Sequence, residues 1–406
     1  MHWRYRDTVL TLCTVALFVT MVGRLAISPV VPDIAAEFEI SNTLIGLALT
    51  GMWVAYALAQ FPSGVLADRF GERLVILASV GGTGLTALVI VAAPTFGVFV
   101  LGTVLLGAVA GLHYSVATAL LTRIYDDIGT AIGLHNAGAP IAGLVTPIVV
   151  SQVAVSYGWR PAVAVAAALA LPLFVLITWG IRPTEPRRPD QPMRERLELG
   201  PILELLSRPT IVFTGVIAVI SDFTWQAMAS FLPTFFVQYH GYSRTLAGTL
   251  FAAYFVAQGV LQVGVGVLAD RIGRDVTTAI CMVAGIAGLS LLVAGPEAGA
   301  VAAPGFGSGF ASELGAVGAG IVLLGLSMGW SAAVFPRFMD HLSAAEQSSG
   351  FGLIRTVYMV VAASGSVVVG LLADLFGWAV SFGFLIALLA GVCALLAANE
   401  AFGLEY

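Results

Sequence analysis

Lysine is missing altogether: the 18 basic residues of this 406-residue chain are all arginine. Lysine-based chemistry is thereby excluded. So is the phosphate-cradling G-x-x-x-x-G-K-[ST] loop, which leaves ATP out as an energy source. Cysteine is nearly as scarce. Cys13, Cys281 and Cys393 each sit inside an apolar run, at spacings that fit neither a disulfide framework nor a metal site, and they read as small buried hydrophobes. Charge of both signs is thin. Charged residues make up 10% of the chain, where an average soluble protein carries about 25%, so the chain cannot cover a water-facing surface. The net charge is −5 and the basic residues are scattered among loops, which argues against a nucleic-acid partner. Paired carboxylates on one span, a metal-ligand cluster and a Ser/His/Asp constellation are all lacking. The sequence therefore predicts no enzyme, no catalytic residue, no metal and no cofactor.

What is abundant is apolar length. Hydrophobic residues make up 59% of the chain, and mean hydropathy is +0.97, so lipid is the solvent. A helix needs about 20 apolar residues to cross a bilayer. Twelve such runs stand out: 8–32, 43–67, 74–93, 97–122, 129–155, 160–181, 210–237, 244–269, 276–296, 314–335, 347–372 and 378–397. The first follows Arg4 and Arg6, leads straight into a second and ends in no A-x-A-like site, so it reads as a first transmembrane helix rather than a signal peptide.

Arginine sets the orientation. With an even number of spans and both termini inside, 14 of the 18 arginines fall in inner loops; Arg160 and Arg244 fall outside, and Arg24 and Arg355 lie within spans. The expectation is a multi-pass plasma-membrane protein with cytoplasmic termini. The longest hydrophilic stretch, 182–209, opens Pro-rich as a cytoplasmic linker. It continues through Leu197, Leu199, Ile202, Leu203, Leu205 and Leu206 as a short amphipathic helix on the membrane surface. It divides an N-terminal six-helix bundle, 1–181, from a C-terminal one, 210–406. A second insertion near 295–313, rich in Gly and Ala, lies outside.

The two halves repeat one another. Residues 64–73 read G-V-L-A-D-R-F-G-E-R and residues 266–275 read G-V-L-A-D-R-I-G-R-D, an offset of 202 that also pairs Ser41 with Ser243, Gly46 with Gly248 and Gln60 with Gln262. Duplication inside an apolar chain points to a two-half transporter with its site between the halves. The repeated G-x-L-A-D-R-x-G motif after spans 2 and 8, the six-plus-six spans and the central loop together resemble the major facilitator superfamily over essentially the whole chain. That resemblance implies an all-α integral membrane fold of two six-helix bundles in pseudo-twofold arrangement. It further implies a latch that ties the halves together on the cytoplasmic side in the outward-open state. The latch residues would be Gly64, Asp68, Arg69, Gly71 and Arg73, with Gly266, Asp270, Arg271, Gly273 and Arg274 as their mirror. Asp68 and Asp270 stand at the negative end of their own helix dipoles and need a partner such as a nearby Arg. Gly64 and Gly266 permit close helix approach.

Span 5 holds Gly133, Gly138, Pro140 and Gly143, which resembles a degenerate Gly-Pro motif of drug/proton antiporters, with Ala139 interposed. Gly-rich packing and a kink explain it equally well. Many proton-coupled members carry an Arg in span 4; Thr103 stands there in this chain.

Three charged residues lie within spans: Arg24, Asp222 and Arg355. Each costs about 2.5–3.5 kcal/mol to insert, so each is a functional candidate. Arg24 falls opposite Gln226 in the repeat, one turn from Asp222 on the same helix face. By the resemblance, all three charges face a central cavity. Their sum is positive, which suits an anion, and an Arg fork suits a carboxylate or phosphate. Arg24, Asp222, Gln226 and Arg355 are the expected substrate contacts, with Trp225 and Tyr254 among the aromatic residues able to stack on it (Trp53, Tyr56 and Trp330 are others). Proton coupling falls to Asp222, His113 or His135. The alternative is that Asp222 is the permanent partner of an Arg and that the histidines are buried and neutral.

The resulting expectation is a secondary active transporter of a small organic anion, proton-coupled, working by alternating access as a monomer in the lipid bilayer. An efflux pump for lipophilic compounds is the alternative on the same fold, and a non-transporting membrane sensor the remoter one.

Overall fold

The computed structural model describes residues 4–186, 204–302, 310–343 and 349–404. Every regular element among them is helical. Twelve helices are long and apolar enough to cross a bilayer: span 1 Tyr5–Phe38, span 2 Asn42–Gln60, span 3 Glu72–Val91, span 4 Phe96–Ile124, span 5 Ile128–Tyr157, span 6 Trp159–Gly180, span 7 Pro209–Gln238, span 8 Arg244–Ile272, span 9 Arg274–Ala294, span 10 Glu313–Asp340, span 11 Gly350–Phe376 and span 12 Trp378–Phe402. The helix of span 2 runs on to Phe70 and that of span 9 to Ala302. These match the twelve apolar runs one for one, with ends that shift by a few residues.

Two expectations need amendment. The stretch 295–313 is not wholly loop, because the span 9 helix continues to Ala302 and a helix resumes at Phe310; 303–309 lie outside the described residues. Most of the expected amphipathic helix, 197–203, also lies outside them, and only 204–207 is seen as a turn of helix.

The repeat is visible in how helices start and stop. Ser41 and Ser243 cap spans 2 and 8, their hydroxyls accepting from the Leu44 and Leu246 amides. Spans 2/3 and 8/9 join at Gly71 and Gly273; spans 5/6 and 11/12 join at Gly158 and Gly377. All four adopt positive φ, between 82° and 92°, where a Cβ would be strained. Each closes one helix and opens the next without a loop.

Five spans are broken rather than straight. Span 1 breaks at a 3-10 turn, Ser28–Val30, span 4 at Leu112, span 5 at Ala137, span 10 at Met328–Trp330 and span 11 just after Ala362. Backbone irregular at membrane depth is tolerated only where protein or a cavity can answer its polar groups. Thr50 of span 2 does so at span 11: its Oγ1 donates to Ala363 O at 2.9 Å and accepts from Val367 N at 3.1 Å.

The halves meet along two seams, span 2 against span 11 and span 5 against span 8. Both are built on missing side chains. A Cβ on Gly46 would lie 2.5 Å from Ser366 O, and one on Gly248 2.7 Å from Pro147 O. Polar contacts across the seams gather on the face opposite the termini. There Asp374 Oδ1 accepts from Asn42 N and Nδ2, and Oδ2 from Thr43 N and Oγ1, at 2.6–3.2 Å. Arg244 pairs with Asp33 at 2.5 Å on that same face.

Candidate functional site

Arg24 sits on the last turn of span 1 before its break and is 4% exposed. Its Nε donates to Thr20 O one turn back at 3.3 Å. Its guanidinium carbon lies 4.0 Å from the ring centre of Tyr56 and 5.4 Å from that of Trp53, both on span 2. Trp53 crosses the seam to meet Trp225 of span 7 edge to face at 5.4 Å. Trp225 in turn donates to Gln258 Oε1 at 3.2 Å.

Arg355, a C-terminal-half cation on span 11, rests 5.3 Å from the ring centre of Tyr114 on span 4 of the other half. Asp222 Oδ2 accepts from Gln226 Nε2 at 2.6 Å, and the same amide nitrogen reaches Met359 O, one turn from Arg355, at 3.4 Å. Arg355 acts electrostatically on both Asp222 and Arg24, so the three charges do share one region between the halves. Among the described residues neither guanidinium makes an ion pair, and Asp222 pairs with Gln226 instead. The cations lie on aromatic faces, each worth about 0.5–2 kcal/mol, which leaves their N–H forks free of any carboxylate.

Gln226 and Tyr254 are both 0% exposed, and Tyr254 packs on Phe251 and Phe255 of its own span 8. Of the expected contacts, Gln226 is the one bonded to Asp222, while Trp225 turns to Trp53 and Gln258. Trp330 does not join them; it packs on Phe335 and Tyr358 inside its own half. Nor do Gln60 and Gln262 share a role. Gln60 reaches Met359 Sδ across the seam, whereas Gln262 donates to Ser331 Oγ within its half.

His113 and His135 flank two of the breaks, at Leu112 and Ala137, and both are fully buried. Their rings stand 5.5 Å apart, His113 Nε2 lies 3.1 Å from Cys13 O, and His135 stacks on Tyr114 at 6.0 Å. Tyr114 therefore connects the histidine pair to Arg355, a link invisible in the sequence. The Gly-Pro stretch of span 5 is used for packing: Gly143 abuts the Phe255 ring and Gly138 abuts Thr14 O. Thr103 turns its hydroxyl back onto Phe99 O.

The duplicated motif forms helix–Gly–helix corners on the terminal face, and its arginines bond within halves. Arg73 donates from N to Thr184 Oγ1 at 3.0 Å and from Nη2 to Thr178 O at 2.6 Å. Arg274 pairs with Asp340. The residues beside them repeat the pattern, Glu72 pairing with Arg123 at 2.9 Å and Asp275 with Arg337. Burial, with the guanidiniums of Arg337 and Arg274 nearby, holds the His341 imidazole below its usual range. Arg73 and Arg274 are therefore committed to their own halves in this conformation. Among the described residues the expected close approach at Gly64 and Gly266 is not seen: a Cβ would meet none of them within 4 Å at Gly64 and only Ala332 Cβ, at 3.8 Å, at Gly266.

Comparison with known proteins agrees with this architecture. A family model described as Major Facilitator Superfamily matches residues 13–243 and 214–401. The membrane sensor protein UhpC of Escherichia coli (strain K12) is 27% identical over 161 residues, 39% of this chain and 37% of that protein. The probable sulfoacetate transporter SauU of Cupriavidus necator is 27% identical over 205 residues, 48% of this chain and 46% of that one. The matched regions thus span less than half the length of these relatives. In structure, a mutant form of the nucleoside transporter NupG superposes with a TM-score of 0.82 at 12% identity, over 97% of this chain and 99% of that chain; a likeness at that identity speaks to the fold alone.

Proposed function

This chain belongs to the Major Facilitator Superfamily, and on that premise we propose that it is a secondary active transporter of a small organic anion, coupled to protons. The supporting observation is the pair Arg24, buried, and Arg355, half-buried, which lie between the halves on aromatic faces with no carboxylate among the described residues bonded to either. A buried cation without an ion-pair partner is costly, and a carboxylate entering the seam would answer two planar forks at once. The name of one relative, a sulfoacetate transporter, is in keeping with an anionic substrate.

In this reading the bundles 1–181 and 210–406 rock about the linker 182–209. Gradient protons are taken up at Asp222 or at His113 and His135. Asp68 and Asp270, with Arg69 and Arg271 beside them, are the charges that would tie the halves together when the terminal face closes. Both termini are read as cytoplasmic, in keeping with the arginine distribution, in a plasma-membrane protein that works as a monomer. The conformation described is then inward-facing, sealed outside by Asp374 and by Arg244–Asp33.

Uptake into proteoliposomes tests the reading. An imposed pH gradient should drive accumulation of a carboxylate by the wild type, and Arg24→Gln and Arg355→Gln should each abolish it. Export of lipophilic cations, unaltered in both variants, would favour the efflux alternative. Anion binding that never leads to flux would favour a sensor, the activity named for UhpC.

A further inference from the structure

Four buried polar atoms around the two arginines bond to no other protein atom among the described residues: Trp53 Nε1, Gln226 Oε1, Tyr254 OH and Arg355 Nε. Trp53, Gln226 and Tyr254 are at most 2% exposed. Each such atom disfavours the fold by about 1–3 kcal/mol unless something answers it. Trp53 lies by Arg24 and Trp225, Gln226 by Asp222 and Met359, and Tyr254 stands on span 8, which packs on the span that carries Gln226; together they describe the ligand by complementarity.

The atoms are of different kinds. Trp53 Nε1 and Arg355 Nε are donors only, Gln226 Oε1 is an acceptor only, and the Tyr254 hydroxyl is both. The orientation of the Gln226 amide follows from its surroundings, since Asp222 Oδ2 and Met359 O both accept from its nitrogen. Its oxygen therefore needs a donor. A bare carboxylate, sulfonate or nitrate offers acceptors alone: it satisfies the Arg and Trp N–H groups and leaves Gln226 Oε1 unanswered. The ligand has to carry at least one O–H or N–H besides its acid group. Charge separates those two. Arg24, Arg355 and ionised Asp222 sum to +1, which a monoanion neutralises and a zwitterionic amino acid does not.

We propose that the substrate is a hydroxylated monocarboxylate. Its acid end lies on the Arg24 and Arg355 guanidiniums, and a hydroxyl lies between Gln226 Oε1 and the Tyr254 hydroxyl. This inference rests on the anion reading above and narrows it. It also gives Tyr254 an unusual signature. Because its hydroxyl has no protein partner, Tyr254→Phe removes a polar atom that only the ligand satisfies, so the ligand-free protein loses nothing.

The test is titration of the purified full chain with acids matched in length, with and without hydroxyls: propionate against lactate and hexanoate against gluconate, with 2-aminohexanoate as the zwitterion. Wild type, Tyr254→Phe and Arg355→Gln are compared by calorimetry and thermal shift. The expected result is that the hydroxy acid of at least one pair binds about tenfold or more tighter than its parent. Tyr254→Phe should remove most of that preference and leave the ligand-free melting midpoint unchanged or raised. Arg355→Gln should abolish binding of both members. Equal binding within each pair, untouched by Tyr254→Phe but lost in Arg355→Gln, would overturn the hydroxyl assignment and leave the anion reading standing. Tightest binding of 2-aminohexanoate would overturn it in favour of an ammonium group on Asp222. No binding of any acid, or binding indifferent to Arg355→Gln, would remove the anion reading itself.

Discussion

Ser28 Oγ donates to the carbonyl of Ser230 at 2.9 Å, and the two residues are 202 positions apart, the same offset that relates the duplicated motifs. Two equivalent positions can touch only where the pseudo-twofold axis passes between them. The axis therefore runs through the break of span 1 and the matching stretch of span 7. Ser230 Oγ continues the contact to Ser366 Oγ at 2.7 Å. This knot lies on the closed face, beside the Asp374 cap, so opening that face has to break both.

Asp374 is predicted to be the stronger of the two. Its carboxylate accepts four hydrogen bonds from Asn42 and Thr43 at the N-terminus of span 2, where a negative charge also complements the helix dipole. Asp374→Ala removes an interaction of about 1–3 kcal/mol that exists only while this face is closed. The ratio of closed to open protein should fall roughly 5- to 150-fold. A cysteine at position 230, isosteric with serine and 2% exposed, reports it in a background with the three native cysteines replaced. A membrane-impermeant maleimide should label it faster in Asp374→Ala, with the melting midpoint little changed. Unchanged labelling would mean that the cap does not hold the face shut.

Two glycines separate packing across the halves from packing within one. A Cβ at Gly46 meets Ser366 O at 2.5 Å across the seam, while one at Gly107 runs into Met52 O of span 2, inside the same half. Overpacking of this sort costs about 1–3 kcal/mol in either place. Gly46→Ala can relieve it by parting the halves, so it should raise labelling at position 230 and keep its melting midpoint. Gly107→Ala has no such escape; it should melt several degrees lower with labelling unaltered. The reverse pattern would mean that the seam is not a movable interface.

Much of this was legible in the sequence because membrane helices announce themselves by length, and a tandem repeat by its motif. Arg24, Asp222 and Arg355 could be singled out since a charge inside a span has few structural excuses. Their settings could not. Whether Tyr56 or Tyr114 turns its face to a guanidinium depends on which helices meet, and the breaks at Leu112 and Ala137 carry no Pro at the break itself. Asp374 escapes a sequence reading for a related reason. It reads as a loop-end carboxylate, and its partner, the start of span 2, lies more than 300 residues away. At the motif corners the sequence names the charges but not their partners, and Arg73 and Arg274 bond within their own halves.

The proposed proton coupling has two candidate sites, which converge on one cation. Asp222 is held by Gln226 at 2.6 Å beside Arg355, and the His113–His135 pair joins the same guanidinium through Tyr114. Either site could bind a proton in response to an anion on Arg355, because adding a negative ligand favours a positive charge nearby. Asp222→Asn keeps an acceptor oxygen for Gln226, and His135→Gln keeps a polar group of similar reach, so neither should abolish substrate binding. Exchange of labelled for unlabelled substrate, which requires no net proton movement, should continue in both variants. Accumulation driven by a pH gradient should fall at least tenfold in the variant that has lost the coupling site, and in both if the two sites work in series. Loss of exchange together with accumulation would instead assign the residue to holding the substrate. Full accumulation in both variants would remove Asp222 and His135 from the coupling path.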